Sequence, residues 1–184
     1  AVGVYGPLPP PFPPDQAPLP PPPAVPPAPP LSSLVSSLEL LPAAGASMSS
    51  TYDVMSAARC MDGIYENHCH TAHTTRPYLI YDLGEPARQV AYVAVHNRRD
   101  GGKDRLHHHT VSYRTTQTDA WAQCSEMMAP ATDGPFVHSC AHLAREIKVE
   151  LPGAGRMLNL AEVEVYGPSP SPSPSPPPSP PPPC

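Results

Sequence analysis

Residues 161–167 read AEVEVYG, and their alternation of apolar and acidic side chains decides the fold class. Successive side chains of a β-strand point to opposite faces, so Val163 and Val165 share one face while Glu162 and Glu164 share the other. Four similar stretches precede it, separated by turn residues: RPYLIYDLG, RQVAYVAVHN, LHHHTVSYRTT and REIKVELPG. Short strands at this spacing predict an all-β fold, an antiparallel jelly-roll β-sandwich.

Proline marks off the two ends of the chain. Of the 32 prolines, 15 lie within the first 30 residues and 11 between Pro168 and Cys184. Proline fixes φ and removes a backbone donor, so residues 7–30 and 168–184 are predicted to be polyproline II arms, with a disordered linker as the alternative. The Ser-Pro runs resemble hydroxyproline-rich glycoproteins of plant and green-algal cell walls, which implies hydroxylated and O-glycosylated prolines. Residues 44–167 are left to form the one globular domain.

Two short segments complete the predicted organisation. Residues 31–43 are predicted to hold a short helix and connector, whose apolar stripe packs on the sandwich or, alternatively, binds a partner. The helical spacing rests on Leu31, Leu34, Val35, Leu38 and Leu41. The opening VGVYGP repeats the VEVYGP of residues 163–168, so residues 1–6 are predicted to be the last strand of a preceding repeat, unless the similarity is due to chance.

Charge and cysteine content narrow the function classes. A net charge of -5 with no basic stripe argues against a nucleic-acid partner, and no run is apolar enough to predict a membrane span. Five cysteines without close CxxC pairs favour disulfides, and hence a secreted protein. Short loops would be closed by Cys60 with Cys69 and by Cys124 with Cys140, which leaves Cys184 unpaired or linked to another chain.

The segments SSTYDVMSAARCMDG, RPYLIYDLG, VAVHNRRD and LPGAGRMLNLAEVEVYG together resemble the discoidin, or coagulation factor 5/8 type C, domain. The resemblance is nearest to the fucolectin branch, whose sugar site follows a pattern of His, 24 residues, Arg, one residue, Asp, four residues, and Arg or Lys. His73, Arg98, Asp100 and Arg105 fit that spacing. The resemblance implies that these four residues bind a fucose-like sugar, with Asp100 orienting the arginines.

The same resemblance implies further features. Fucolectins carry a structural calcium site, and Asp62 and Glu162 match its positions; the 16-residue separation of Cys124 and Cys140 also matches a disulfide of the branch. Gly101 and Gly102 stand where the branch has two adjacent cysteines that form an apolar wall. Tyr65 or Tyr78 is the candidate replacement for that wall.

Other signals are assigned to structure. Surface or half-buried positions are expected for His107, His108 and His109, and Trp121 is expected to pack in the core. Zinc held by His68, His70 and His73 is a weaker alternative. No nucleophile elbow, phosphate-binding glycine loop or HExxH motif occurs, so neither an enzyme nor a catalytic cofactor is expected.

Two functional hypotheses follow. The first is a repeat unit of a secreted structural glycoprotein of a cell wall, matrix or ciliary surface fibre, which self-assembles and carries a sugar-binding fucolectin-like domain. In this hypothesis the sugar-binding domain would bind glycans carried by neighbouring copies of the protein. The alternative is a soluble or cell-surface fucose-binding lectin with proline-rich spacers.

Overall fold

The structure, a computed structural model, describes residues 38–169. The predicted strand 1–6, the arm 7–30, most of the tail 168–184 and Cys184 lie outside the described residues. Twelve strands are described, in chain order: β1 (Leu38–Leu40), β2 (Gly45–Met48), β3 (Cys69–His70), β4 (Tyr78–Asp82), β5 (Arg88–Gln89), β6 (Tyr92–Asn97), β7 (His109–Arg114), β8 (Ala122–Met127), β9 (Phe136–Ser139), β10 (Leu143–Ala144), β11 (Glu146–Glu150) and β12 (Asn159–Pro168). The helical content of the described residues is two 3₁₀ turns, Ala57–Cys60 and Lys103–Leu106.

The strands form two main antiparallel sheets. One has the order β1-β12-β6-β9, with β3 paired to β12, and the other has the order β2-β4-β11-β7-β8. A small two-stranded ladder joins β10 to β5. The predicted all-β sandwich is therefore confirmed.

The core lies between the two sheets and follows the predicted alternation. Val163 and Val165 are buried and lie opposite Val95 and Val93 of β6. The facing sheet contributes Ile147 and other aliphatic side chains that are fully buried. Removing this apolar surface from water is the main stabilising contribution, at about 25 cal/mol per Å².

The segment before β2 differs from its prediction. Leu38–Leu40 of the predicted helix and connector are extended as β1, because their backbone pairs with Tyr166, Gly167 and Pro168 at the edge of the sheet. Residues 31–37 of that prediction lie outside the described residues. Leu41 is buried, and its N–H donates to Val165 O at 2.8 Å. In the described part of the chain the sandwich thus includes β1 from Leu38, ahead of the predicted boundary at residue 44.

The end of β12 requires glycine at position 167, because of close packing. A Cβ on Gly167 would lie 2.4 Å from Gln89 O and 2.9 Å from Leu41 Cδ1. No side chain fits within such distances of backbone. The Gly-Pro that ends the repeated VYGP sequence therefore has a packing reason at its second occurrence.

Both predicted intrachain disulfides are present. Cys60 is bonded to Cys69 and Cys124 to Cys140, with Cα–Cα distances of 5.4 and 5.1 Å. The first disulfide ties the 3₁₀ turn Ala57–Cys60 to β3, and the second joins β8 to the residue that follows β9. The two sheets are thereby linked at the β8 edge.

A chain of polar side chains crosses the core next to that edge. His109 and His138 are fully buried, with an Nε2–Nε2 distance of 2.8 Å, which contradicts the half-buried position expected for His109. His109 Nδ1 donates to Leu106 O at 3.0 Å, so its Nε2 accepts from His138, whose Nδ1 in turn accepts from the Ser125 hydroxyl at 2.6 Å. With both imidazoles neutral every ring nitrogen has a partner, and because the Nε2–Nε2 contact has room for only one proton, the two rings cannot both be protonated in this arrangement.

Across residues 38–169, no helix has the length and apolar character needed to cross a membrane.

Candidate functional site

The loop after β6 is held in place by one buried amide. Asn97 is fully buried, and its Nδ2 donates to Lys103 O at 2.8 Å and to Thr132 O at 2.9 Å. Its Oδ1 accepts from Arg98 N at 3.0 Å. Asn97 therefore fixes both the start and the middle of the loop that carries Arg98, Asp100 and Arg105.

Arg98 and Asp100 form a bidentate pair at the rim of this loop. Arg98 Nε and Nη2 each donate to one Asp100 oxygen at 2.7 Å, and Gly101 N donates to Asp100 Oδ1 at 2.9 Å. The hydrogen bonds from Arg98 hold the pKa of Asp100 well below its usual range. The pair holds the Arg98 guanidinium in one orientation, and the Arg98 side chain is only 13% exposed.

Arg105 meets a histidine that is not the predicted one. Arg105 Nη1 lies 3.3 Å from His70 Nε2. His70 Nδ1 lies 2.6 Å from Thr71 O, and since a carbonyl only accepts, Nδ1 carries the proton and Nε2 accepts. Burial, together with the positive charges of Arg105 and Arg98, lowers the pKa of His70 and keeps it neutral.

These residues surround a groove of about 370 Å³ at the end of the sandwich where β2 and β6 end and β12 begins. We call it the loop groove; it is lined by Tyr52, Met55, His68, His70, Arg98, Asp100, Arg105 and Met157. Two methionines and the Tyr52 ring, which packs 5.1 Å from the His70 ring, supply its apolar side. Its size lies within the usual range for small-molecule sites.

Three of the four predicted sugar ligands meet in this groove. His73 does not line it; the residue is exposed, and its Cε1 lies 3.4 Å from where a Cβ on Gly155 would be. His70 stands there instead because β3 pairs with Asn159 and Leu160 at the start of β12 and because Cys69 is tied to Cys60. The signal available in the sequence was the position of His70 next to a predicted half-cystine.

The apolar wall is also built from residues that sequence reasoning missed. Tyr65 lies beside β12, further along the strand from the groove, where its hydroxyl donates to Glu164 at 2.6 Å. Tyr78 lies on β4, with Lys148 Nζ 6.0 Å from its ring. Neither tyrosine lines the loop groove, and Met55, Met157 and Tyr52 take the place expected for them.

The two predicted calcium ligands lie near each other, where the loop around Asp62 and Gly63 approaches Glu162 of β12. Glu162 is buried, and burial and the charge of Asp62 raise its pKa to about 7. Its Oε2 has no hydrogen-bond partner, and neither has the buried Asn67 Oδ1, although Asn67 Nδ2 donates to Asp62 at 2.8 Å. Within residues 38–169 no three His, Cys, Asp or Glu side chains converge as metal ligands. The unpartnered oxygens of Glu162 and Asn67 are nevertheless the donors that calcium prefers, so the residues fit this ion.

Comparison with known proteins places this architecture among sugar-binding folds. No family model and no curated protein matches the sequence. Among solved structures, the lectin domain of lectinolysin in complex with Lewis B antigen superposes with a TM-score of 0.61 at 28% identity, covering 67% of this chain and 92% of that one. A Streptococcus pneumoniae fucose-binding module superposes with a TM-score of 0.59 at 25% identity, covering 68% and 92%.

The fold is that of a galactose-binding-like β-sandwich. A serum fucolectin of the striped bass, Morone saxatilis, supports this fold with a TM-score of 0.61 at 24% identity, covering 67% of this chain and 45% of that one. The structural neighbours of this domain are thus fucolectin-like domains and carbohydrate-binding modules. Its loop groove can now be considered as a sugar site.

Proposed function

We propose that this domain is a non-catalytic carbohydrate-binding module whose loop groove takes a terminal fucose-like sugar. The observation that carries the proposal is the convergence of Arg98, Arg105 and neutral His70 beside an apolar wall. The guanidiniums donate to vicinal sugar hydroxyls, and His70 Nε2 accepts from one. The wall of Met55 and Met157 contacts the apolar face or methyl group of the sugar. The sugar-binding neighbours support this assignment.

The arginine pair gives a direct test in the full chain. In an Arg98→Ala and Arg105→Ala double variant, we expect the affinity for methyl α-L-fucoside to fall at least tenfold, measured by isothermal titration calorimetry. Arg99→Ala is the matched control, because Arg99 lies between the two motif positions but pairs with Glu66 at the surface. Binding that survives the double change, or that is absent from the wild-type chain for fucosides and galactosides alike, would contradict the proposal.

Calcium is proposed as a structural ion next to the groove. Asp62, Asn67 and Glu162 would hold it, and the ion would supply positive charge that neutralises two nearby carboxylates. We expect calcium to raise the melting temperature of the full chain relative to chelator, and Glu162→Gln to remove most of that difference. Equal melting temperatures with calcium and chelator would contradict calcium binding.

The biological role proposed for the whole chain is a repeat unit of a secreted structural glycoprotein. The two disulfides fit an oxidising extracellular setting. Leu38 pairs directly with Pro168, so the segments leading to both proline-rich arms meet at one point of the domain. This geometry suits a module attached to a continuous proline-rich strand. Hydroxyproline and sugar analysis of the secreted protein, with electron microscopy of its assemblies, tests this role; an unmodified monomer would contradict it.

A further inference from the structure

A second groove lies on the outer face of the sheet β2-β4-β11-β7-β8. It has a volume of about 380 Å³, and we call it the sheet groove, defined here by Arg76, His108, Trp121, Gln123, Lys148 and Glu150. Lys148 and Glu150 alternate along β11 with the buried Ile147 and Val149, so they lie on the face away from the core. Trp121, expected in the core, is half-buried at the edge of this groove.

The charged side chains of the sheet groove hold one another in fixed positions. Arg76 Nε and Nη2 donate to Glu150 Oε1 at 2.9 and 2.6 Å, and Lys148 Nζ donates to Glu150 Oε2 at 3.0 Å. Although burial opposes it, these hydrogen bonds hold the pKa of Glu150 below its usual value. Lys148 Nζ also lies 4.9 Å from the centre of the Trp121 ring. The groove thus offers an ordered polar floor and an indole wall.

The backbone of the sheet groove is strained at two places. Arg76 and His108 have φ values of 51° and 55°, in the left-handed region that residues other than glycine rarely adopt. Among residues 38–169 only Asp53 shares this property. Such conformations cost about 1 kcal/mol or more and cluster at functional sites. Both strained residues line the same groove and present polar side chains to it.

The two grooves are close to each other along the chain. His108 follows Arg105 of the loop groove by three residues, so their Cα atoms are at most about 11 Å apart. Arg156 connects the loops between the grooves, because its side chain donates to Arg105 O at 3.0 Å, to His107 O at 2.5 Å and to Pro152 O at 3.3 Å. Arg156 and Thr74 also exchange backbone hydrogen bonds of 2.9 Å.

We propose that the sheet groove is a second subsite, which takes inner sugar units of an oligosaccharide whose terminal unit occupies the loop groove. This inference rests on the proposed sugar-binding function. Arg76 and Lys148 are balanced by Glu150 and Glu126, so neutral sugars suit the groove better than uronic acids. Ser112, Gln123 and the free edge of Arg76 offer donors and acceptors to hydroxyls. The Trp121 ring, held by Arg114 at 4.5 Å and Lys148 at 4.9 Å, forms an apolar border of the groove.

The test compares a monosaccharide with a related oligosaccharide in the full chain by calorimetry. The probes are methyl α-L-fucoside with Lewis b tetrasaccharide, and methyl β-D-galactoside with lacto-N-tetraose. We expect one of the oligosaccharides to bind at least tenfold more tightly than its monosaccharide. His108→Gly and Gln123→Ala, alone and together, are expected to remove most of that gain and to leave the monosaccharide affinity within twofold. His108→Gly suits the test because glycine adopts the left-handed conformation without strain.

The outcomes are distinguishable. Equal affinity for monosaccharide and oligosaccharide, or a gain that survives the sheet-groove variants, overturns the second subsite and leaves the loop groove as the sugar site. No binding of any of the four probes overturns the proposed function and this inference with it. Loss of both affinities in a well-folded His108→Gly chain, checked by circular dichroism, shows that His108 supports the loop groove and overturns its role as a subsite residue.

Discussion

At the scale of single residues, Gly102 makes room for the Arg105 guanidinium. A Cβ at position 102 would lie 3.0 Å from Arg105 Nε and 3.1 Å from its Cζ, and Gly102 has a φ of 66°. Gly102, where the resemblance implied a cysteine, therefore leaves room for a guanidinium of the loop groove.

We expect Gly102→Ala to displace Arg105 from His70 and to lower sugar affinity about tenfold, with a stability loss of about 1 kcal/mol from the left-handed backbone. Calorimetric titration and urea unfolding measure the two effects. Gly101→Ala is the matched control, because nothing lies within 4 Å of a Cβ there and its φ is not in the left-handed region. Equal affinities of the two variants would show that Arg105 does not depend on Gly102.

The buried histidine pair is expected to make the domain sensitive to acid. Burial and the neighbouring His109 lower the pKa of His138 to about 4 from its ordinary value of 6.5. Folding therefore favours the neutral form of His138. The resulting contribution to the free energy of unfolding is complete above pH 6.5, where the unfolded chain is also neutral, and it is lost as the pH falls toward 4. A shift of this size corresponds to about 3 kcal/mol.

Melting temperatures between pH 7.5 and 4 measure this loss. We expect the wild-type melting temperature to fall steeply below pH 6.5, and His138→Gln to have a lower melting temperature at pH 7.5 but a flatter profile. His142→Gln, at an exposed histidine stacked on Tyr113, is the control and should keep the wild-type slope. A wild-type slope in His138→Gln would refute the assignment.

The site residues show how far the sequence alone could go. Arg98, Asp100 and Arg105 lie within eight consecutive positions of one loop, so their spacing was enough to predict that they meet. The histidine comes from a different strand, and its identity depends on how β3 pairs with β12. The sequence spacing predicted His73 as the histidine of the site, whereas the pairing of β3 with β12 places His70 in the loop groove. Long-range pairing of this kind leaves no local signal.

At the scale of elements, β1 shows the same limit. The helical spacing continued to Leu38 and Leu41, yet Leu38–Leu40 are extended in the part of the chain that the structure describes. An amphipathic pattern fixes only that one side is buried, and here the sheet edge offers both burial and backbone partners. The long alternation in β12, by contrast, agreed with the structure because it repeats over several residues.

The contribution of β1 can be measured with two shortened chains. A chain that starts at residue 37 keeps Leu41, whose carbonyl accepts from the Tyr81 hydroxyl at 2.7 Å. A chain that starts at residue 42 loses this bond, the buried Leu41 side chain and the β1 pairing. Burial of a leucine alone contributes about 2 kcal/mol. We expect the shorter chain to be at least 3 kcal/mol less stable in urea unfolding; equal stability would show that β1 is dispensable.

The loop after β6 is the second element with a clear dependence. Asn97→Ala leaves the carbonyls of Lys103 and Thr132 without their shared donor. Buried polar groups left unpaired cost about 1–3 kcal/mol each. We therefore expect a loss of about 3 kcal/mol in urea unfolding together with weaker sugar binding. Thr132→Ala, which keeps the accepting carbonyl, is the control and should retain sugar affinity.

At the scale of the whole molecule, β12 separates the two ends of the domain. Its first residue, Asn159, pairs with His70 beside the loop groove, and its last, Pro168, pairs with Leu38 where the arms attach. Ten residues of strand span about 33 Å. The loop groove and the Leu38–Pro168 pair therefore lie at opposite ends of β12.

This layout predicts that sugar binding does not depend on the arms. A chain of residues 37–169 is expected to bind methyl α-L-fucoside within twofold of the full chain, because the arms attach at the far end. Calorimetry of both chains, with melting temperatures to confirm folding, gives the comparison. A much weaker affinity in the shortened chain would show that an arm contributes to the site.

The direct pairing of Leu38 with Pro168 also has a mechanical consequence. Tension applied through the two arms acts first on this one pair of residues and peels β1 from β12 one backbone contact at a time, instead of shearing the whole ladder at once. The domain would yield at low force and release slack, while the disulfides keep the segments 60–69 and 124–140 closed as loops. Under load in an assembled chain, the β1–β12 pairing would open and lengthen the module, and it would re-form when the load is removed.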